Sequence, residues 1–132
     1  MTLVGDSAGG NGALSLAFSY AKGLIEDGVN SRFLKNVLVI APSTDLRNQN
    51  PAIDQAHRYH RILTKAPIDS VAATWAGDLP RHSPELSPLL DDFSAIKRAE
   101  IRIHGVVGTL DLLSPDALLF CEMCQKEDVF GE

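Results

Sequence analysis

Several things are scarce in this sequence, and each scarcity removes a class of function. No uninterrupted apolar stretch approaches the roughly 18 residues that a membrane-spanning helix requires. Basic residues are outnumbered, 12 Lys and Arg against 17 Asp and Glu, for a net charge of −5. Nucleic acid therefore finds no positive face to bind. The only two cysteines, Cys121 and Cys124, stand as C-x-x-C inside a segment of helical rhythm. A zinc site needs a second pair of ligands, and a redox motif places its pair at a helix start after a strand. Neither condition is met, so the thiols read as packed on one helix face. No glycine-rich run leads into Lys-Ser or Lys-Thr, and Gly-x-Gly-x-x-Gly is not matched. No secretory leader is visible, and the compartment stays unknown, with the cytoplasm only as the default. Repeats and low-complexity tracts are absent, and no domain boundary shows within the 132 residues.

What is present is concentrated at the front. A short apolar run ends in Gly5-Asp6-Ser7-Ala8-Gly9, which fits Gly-x-Ser-x-Gly. Apolar positions then recur with helical spacing at Ala13, Leu14, Leu16, Ala17, Tyr20, Ala21, Leu24 and Ile25, predicting a helix over residues 8–27 closed by Gly28. Any turn can collect glycine and serine. Strand, glycine-flanked serine, then helix is the more demanding pattern of a nucleophile elbow. Such a turn needs a strained serine backbone, and glycines at 5 and 9 would relieve the crowding where strand and helix close on each other. It also sets Ser7 at a helix N-terminus, where unpaired N–H groups favour developing negative charge. The N–H of Ala8 would be one such donor.

Downstream, residues 36–42 read as an apolar strand buried on both faces, as in a parallel sheet. With the first strand and helix they form one βαβ unit. Residues 43–51 are polar and loop-like and place Asp45 just past the strand. A helix is expected over 51–63, carrying His57 and His60. Another is expected over 67–76, with Val71, Ala72 and Trp75 on one face and Gly77 at its end. Three prolines make 80–88 an extended or turning connection. A short helix over 92–98 precedes a second buried strand at 101–107. Ser114-Pro115 then starts a helix with serine as N-cap and proline at the first position. The fold class is therefore α/β, with parallel strands flanked by helices.

Three motifs carry a family resemblance. Gly5-Asp6-Ser7-Ala8-Gly9-Gly10-Asn11 resembles the nucleophile motif of the hormone-sensitive-lipase-like branch of the α/β-hydrolases. Ser83-Pro84-Glu85-Leu86-Ser87-Pro88-Leu89 resembles that family's Ser-Pro-x-x-Ser-Pro-Leu, and Gly108-Thr109-Leu110-Asp111-Leu112-Leu113 its Gly-x-x-Asp-x-Leu. The resemblance implies an esterase or lipase-like hydrolase acting on a small-molecule ester, with Ser7 as nucleophile and Asp111 as the acid of the triad. It implies no cofactor and no metal. It says nothing of oligomeric state.

A serine hydroxyl needs a base to take its proton and a carboxylate to orient that base. Asp111 follows a strand, where the fold's order of Ser, acid, His expects an acid. Asp45 is the fallback acid, and Asp6 reads as a positioning residue. No histidine follows Asp111. His57, His60, His82 and His104 all precede it, and none is assigned as base. Nothing upstream of Ser7 matches the family's His-Gly-Gly oxyanion motif either. Residues 1–132 are thus expected to be a partial α/β-hydrolase domain, nearly inactive alone and prone to aggregate through an open sheet edge. The competing expectation is a non-catalytic module or pseudoenzyme that binds a small lipophilic ligand.

Overall fold

A computed structural model of the chain describes residues 1–28, 33–59 and 63–131. His60 lies outside them. Three strands, β1 (Thr2–Asp6), β2 (Asn36–Ile40) and β3 (Arg102–Val106), form a parallel sheet in the order β1-β2-β3. The register pairs Thr2 with Asn36 and Asn36 with Arg102, running to Asp6, Ile40 and Val106. Helix α1 (Ala8–Glu26) makes the first crossover. Helices α2 (Ala52–Ala56), α3 (Lys65–Ala76) and α4 (Phe93–Arg98) occupy the second, and α5 (Ser114–Lys126) follows β3. Beyond α5 the chain returns to the free side of β3. There Ile103 N–H donates to the Val129 carbonyl at 3.0 Å, and Gly131 N–H to the Ile103 carbonyl at 2.7 Å. Phe130 thereby makes an isolated parallel bridge with Ile103.

Alternation along the strands sends Val37, Val39 and Ile103 to one face, where they are buried. Leu14, Ala17, Phe18 and Ala21 of α1 meet them there, with Phe93 and Ile96 of α4 and Phe120 and Cys124 of α5. Phe18, Phe93 and Phe120 interlock at the centre, with centroids 5.1–6.4 Å apart. The two edge-to-face pairs that Phe18 makes with Phe93 and Phe120 each add about 0.5–1.5 kcal/mol beyond the area they bury.

The expectation of strands buried on both faces holds for one face only. On the other, Val4, Ile40 and Val106 are 64%, 44% and 62% exposed. The reason is the period of two: α1, α4 and α5 all pack on the Val37 side, and among the described residues no helix covers the intervening side chains.

Other boundaries shift for local reasons. Of the helix expected over 51–63, residues 60–62 lie outside the described residues; α2 covers five residues, with Ile53 buried, and turns follow at 57–59. Ser114 is the first residue of α5 rather than its cap. The cap position is Leu113, whose N–H is taken by the Asp111 carboxylate at 2.8 Å. Gly28 and Gly77, at φ +60 and +55, close α1 and α3 as expected.

Candidate active site

Ser7 is the single residue between β1 and α1, and its backbone sits at φ 53, ψ −116. A non-glycine residue there stores on the order of 1–3 kcal/mol. The surroundings hold it in place. Ser7 N–H donates to the Ile40 carbonyl at 3.0 Å, and the Ser7 carbonyl accepts from Asn11 N–H at 3.1 Å and Ser43 N–H at 3.3 Å. The side chain is exposed at the C-terminal edge of the sheet. Ala8, as the first residue of α1, has an N–H without a partner inside the helix.

The two motif glycines differ in what they do. A Cβ on Gly5 would stand 2.1 Å from the Gly9 carbonyl oxygen, whereas one on Gly9 would meet nothing within 4 Å. The crowding expected at position 9 belongs instead to Gly10, whose Cβ would come within 3.0 Å of the Pro42 side chain. Strand and helix close on the backbone of Gly9, so only the strand-side residue must lack a side chain.

Asn11, the last residue of the opening motif, is 1% exposed. Its Nδ2 donates to the carbonyls of Ser43 and Leu86, both at 2.8 Å. One amide thus ties the first turn of α1 to the loop after β2 and to the proline-rich connection. Its Oδ1 is buried without a hydrogen-bond partner. Asn11 had no assigned role within its motif, although an amide on the helix face of Leu14 and Phe18 was a usable signal.

Ser7 opens onto a cleft of about 120 Å³ lined mainly by apolar side chains, among them Leu46, Ile68, Val71, Trp75 and Leu113. Of the helix face expected at Val71, Ala72 and Trp75, only Ala72 is buried, in a small cluster with Leu46, Ala76 and Leu86. Val71 and Trp75 form the wall of the cleft, 57% and 50% exposed.

Asp111 lies in the turn after β3, two residues before cleft-lining Leu113. The fallback acid Asp45 is otherwise engaged. It is buried, and Arg47 Nε and Nη2 bind its two oxygens at 2.6–3.1 Å. The hydroxyl of nearby Ser87 accepts the Leu46 N–H at 2.9 Å. Asp116 completes this buried group, accepting from Asn50 Nδ2 at 2.9 Å. Burial, helped by the charge of Asp45, raises its carboxyl above the ordinary value, against the Asn50 hydrogen bond and Arg47. The hydrogen bond from Asn50 to Asp116 ties the loop after β2 to the first turn of α5.

Among the described residues no histidine lines the cleft. His57 and His82 are exposed, and His104 Nε2 lies 3.3 Å from Asn36 Oδ1 on the uncovered sheet face. Among the described residues no group of three or more His, Cys, Asp or Glu is placed to hold a metal ion. No described helix is long and apolar enough to cross a membrane. Cys124 is buried and Cys121 half-buried; desolvation raises both thiols, Cys124 to about 12.

Comparison with known proteins bears on this arrangement. A family model described as alpha/beta hydrolase fold matches residues 1–130. No curated protein matches the chain. Solved structures do. A candidate esterase from Staphylococcus aureus aligns at TM-score 0.80 and 22% identity, over 98% of this chain and 41% of that one. Carboxyl esterase 2 from the mycorrhizal fungus Tuber melanosporum aligns at 0.79 and 24%, over 98% and 40%. A hormone-sensitive lipase from a metagenome library aligns at 0.77 and 20%, over 99% and 42%. The chain thus spans about two fifths of the length of these structures.

Proposed function

Because this chain belongs to the alpha/beta-hydrolase fold family, we propose that it carries the nucleophile and the acid of a carboxylic-ester hydrolase. The observation that carries the reading is Ser7: exposed, at positive φ, at the N-terminus of α1 and at the mouth of an apolar cleft. In the proposed reaction Ser7 Oγ attacks the acyl carbonyl while its proton passes to an imidazole. The N–H of Ala8 holds the oxyanion, and the alcohol leaves with the proton. Water, deprotonated by the same imidazole, then releases the acid from Ser7. Asp111 orients the imidazole and stabilises its charged form. No metal or organic cofactor takes part.

The imidazole is the group that the described residues do not supply at the cleft. Without a base, a serine hydrolase retains only the ~10³–10⁴-fold over water that oxyanion binding and substrate binding provide. The 132 residues alone, as one partial domain, are therefore expected to hydrolyse esters near background. The absence of a described histidine from the cleft also supports a second reading, a non-catalytic module that holds a small lipophilic ligand there.

Hydrolysis of p-nitrophenyl butyrate by the native protein purified from its source separates the two. Turnover that falls to background in Ser7→Ala supports the hydrolase. Binding of the ester without Ser7-dependent turnover supports the module and sinks the enzymatic reading.

A further inference from the structure

Trp75 is the only tryptophan in the chain, and it stands at the Ser7 cleft. Its ring lies against the first turns of α1 at Gly12, where an added Cβ would be 3.9 Å from the indole. A glycine inside a helix costs about 0.5–1 kcal/mol relative to alanine, and here it leaves a flat place beside the indole. The ring is half exposed, so it is not held there by burial in the core. Val71, one turn earlier on α3, continues the same wall, and Leu46 and Leu113 stand among the other lining residues.

We propose that Trp75 is the chain-length gauge of this cleft, closing it so that it takes the short apolar acyl group of an ester. The inference rests on the Ser7 reading for the orientation of the ester but not for the binding of its acyl group. The size follows from the volume. A cavity of about 150 Å³ holds one benzene molecule. At that density the 120 Å³ beside Ser7 takes roughly four or five carbons. A longer chain must pass the indole into water and lose the gain from its outer methylenes, each worth roughly fourfold in affinity when buried. Removing the indole takes away that wall of the cleft and lengthens the apolar space beside it.

The test uses binding rather than turnover, so Ser7→Ala serves as the parent. Methyl butanoate and methyl octanoate are titrated into it, followed by Trp75 emission and by ligand-observed saturation-transfer NMR. In Ser7→Ala, butanoate is expected to bind and to shift Trp75 emission, with octanoate bound no more tightly despite its longer chain. In Ser7→Ala/Trp75→Ala the order is expected to favour octanoate by tenfold or more, with Ser7→Ala/Trp75→Phe between the two. Half exposure of Trp75 makes folding of these variants straightforward to verify by circular dichroism. Octanoate favoured equally with and without the indole overturns the proposal, as does binding that leaves Trp75 emission unchanged, or no binding of either ester. If the order reverses as expected but no ester is hydrolysed in a Ser7-dependent way by the native protein, the gauge stands and the hydrolase reading fails.

Discussion

Alanine at position 5 would place a methyl carbon 2.1 Å from the Gly9 carbonyl oxygen, 2.5 Å from its carbon and 2.7 Å from the Gly10 nitrogen. Ordinary contact begins near 3.4 Å, so the start of α1 would have to retreat by about 1.3 Å, the difference between 3.4 and 2.1. Little allows it to move. Phe18 is fully buried further along the same helix, and Asn11 is bonded to two separate loops. Overpacking against backbone costs about 1–3 kcal/mol, and this contact belongs at the upper end. For a chain of this size about 3 kcal/mol corresponds to a Tm lowered by roughly 12 °C. Gly9→Ala is the internal control. It lies in α1 with open space around it, so the helix-propensity gain of about 0.5–1 kcal/mol should raise Tm by roughly 2–4 °C. Thermal unfolding followed by far-UV circular dichroism reads both. The reasoning fails if Gly5→Ala melts within about 2 °C of the parent, or if the two substitutions shift Tm in the same direction.

Three further outcomes are expected. Ser7→Gly should remove the strain at φ 53 and stabilise the chain by about 1 kcal/mol in urea unfolding, while abolishing any serine-dependent hydrolysis. Asn11→Ala strands the carbonyls of Ser43 and Leu86 and should cost about 2–4 kcal/mol by the same assay. Asp116 titrates in the folded chain above its ordinary 3.8, so folding favours its protonated form. Its stabilising contribution is full below 3.8 and is lost as pH rises through the raised value. Asp116→Asn should therefore be more stable than the parent near neutral pH, with the gap closing as the medium becomes more acidic than about 3.8.

Much of the fold was legible because it is written in local patterns. The period of α1, the apolar runs of β2 and β3 and the left-handed caps at Gly28 and Gly77 are decided by residues close in sequence. The exposed face of the sheet was not legible, since Val4 and Ile40 are as apolar as Val37 and Val39. Only the side taken by α1, α4 and α5 separates them. The elbow was readable from Gly5 through Gly9, but which glycine is sterically required depends on how closely β1 approaches α1. The amide stitch of Asn11 joins residues 32 and 75 positions away. The pairing of Asp45 with Arg47 is local, whereas the hydrogen bond from Asn50 to Asp116 spans 66 positions. No periodicity reports such contacts. Trp75 was visible as part of a helix face, and only the structure turns that face towards Ser7.

The central claim is that Ser7 becomes acylated. The native protein would be mixed with p-nitrophenyl butyrate, quenched in acid during turnover, digested and mapped by mass spectrometry. The account predicts one butyryl group on the peptide containing Ser7, lost in Ser7→Ala together with nitrophenol release. Turnover that persists in Ser7→Ala, or an acyl group found on another residue while the Ser7 peptide stays unmodified, would contradict it.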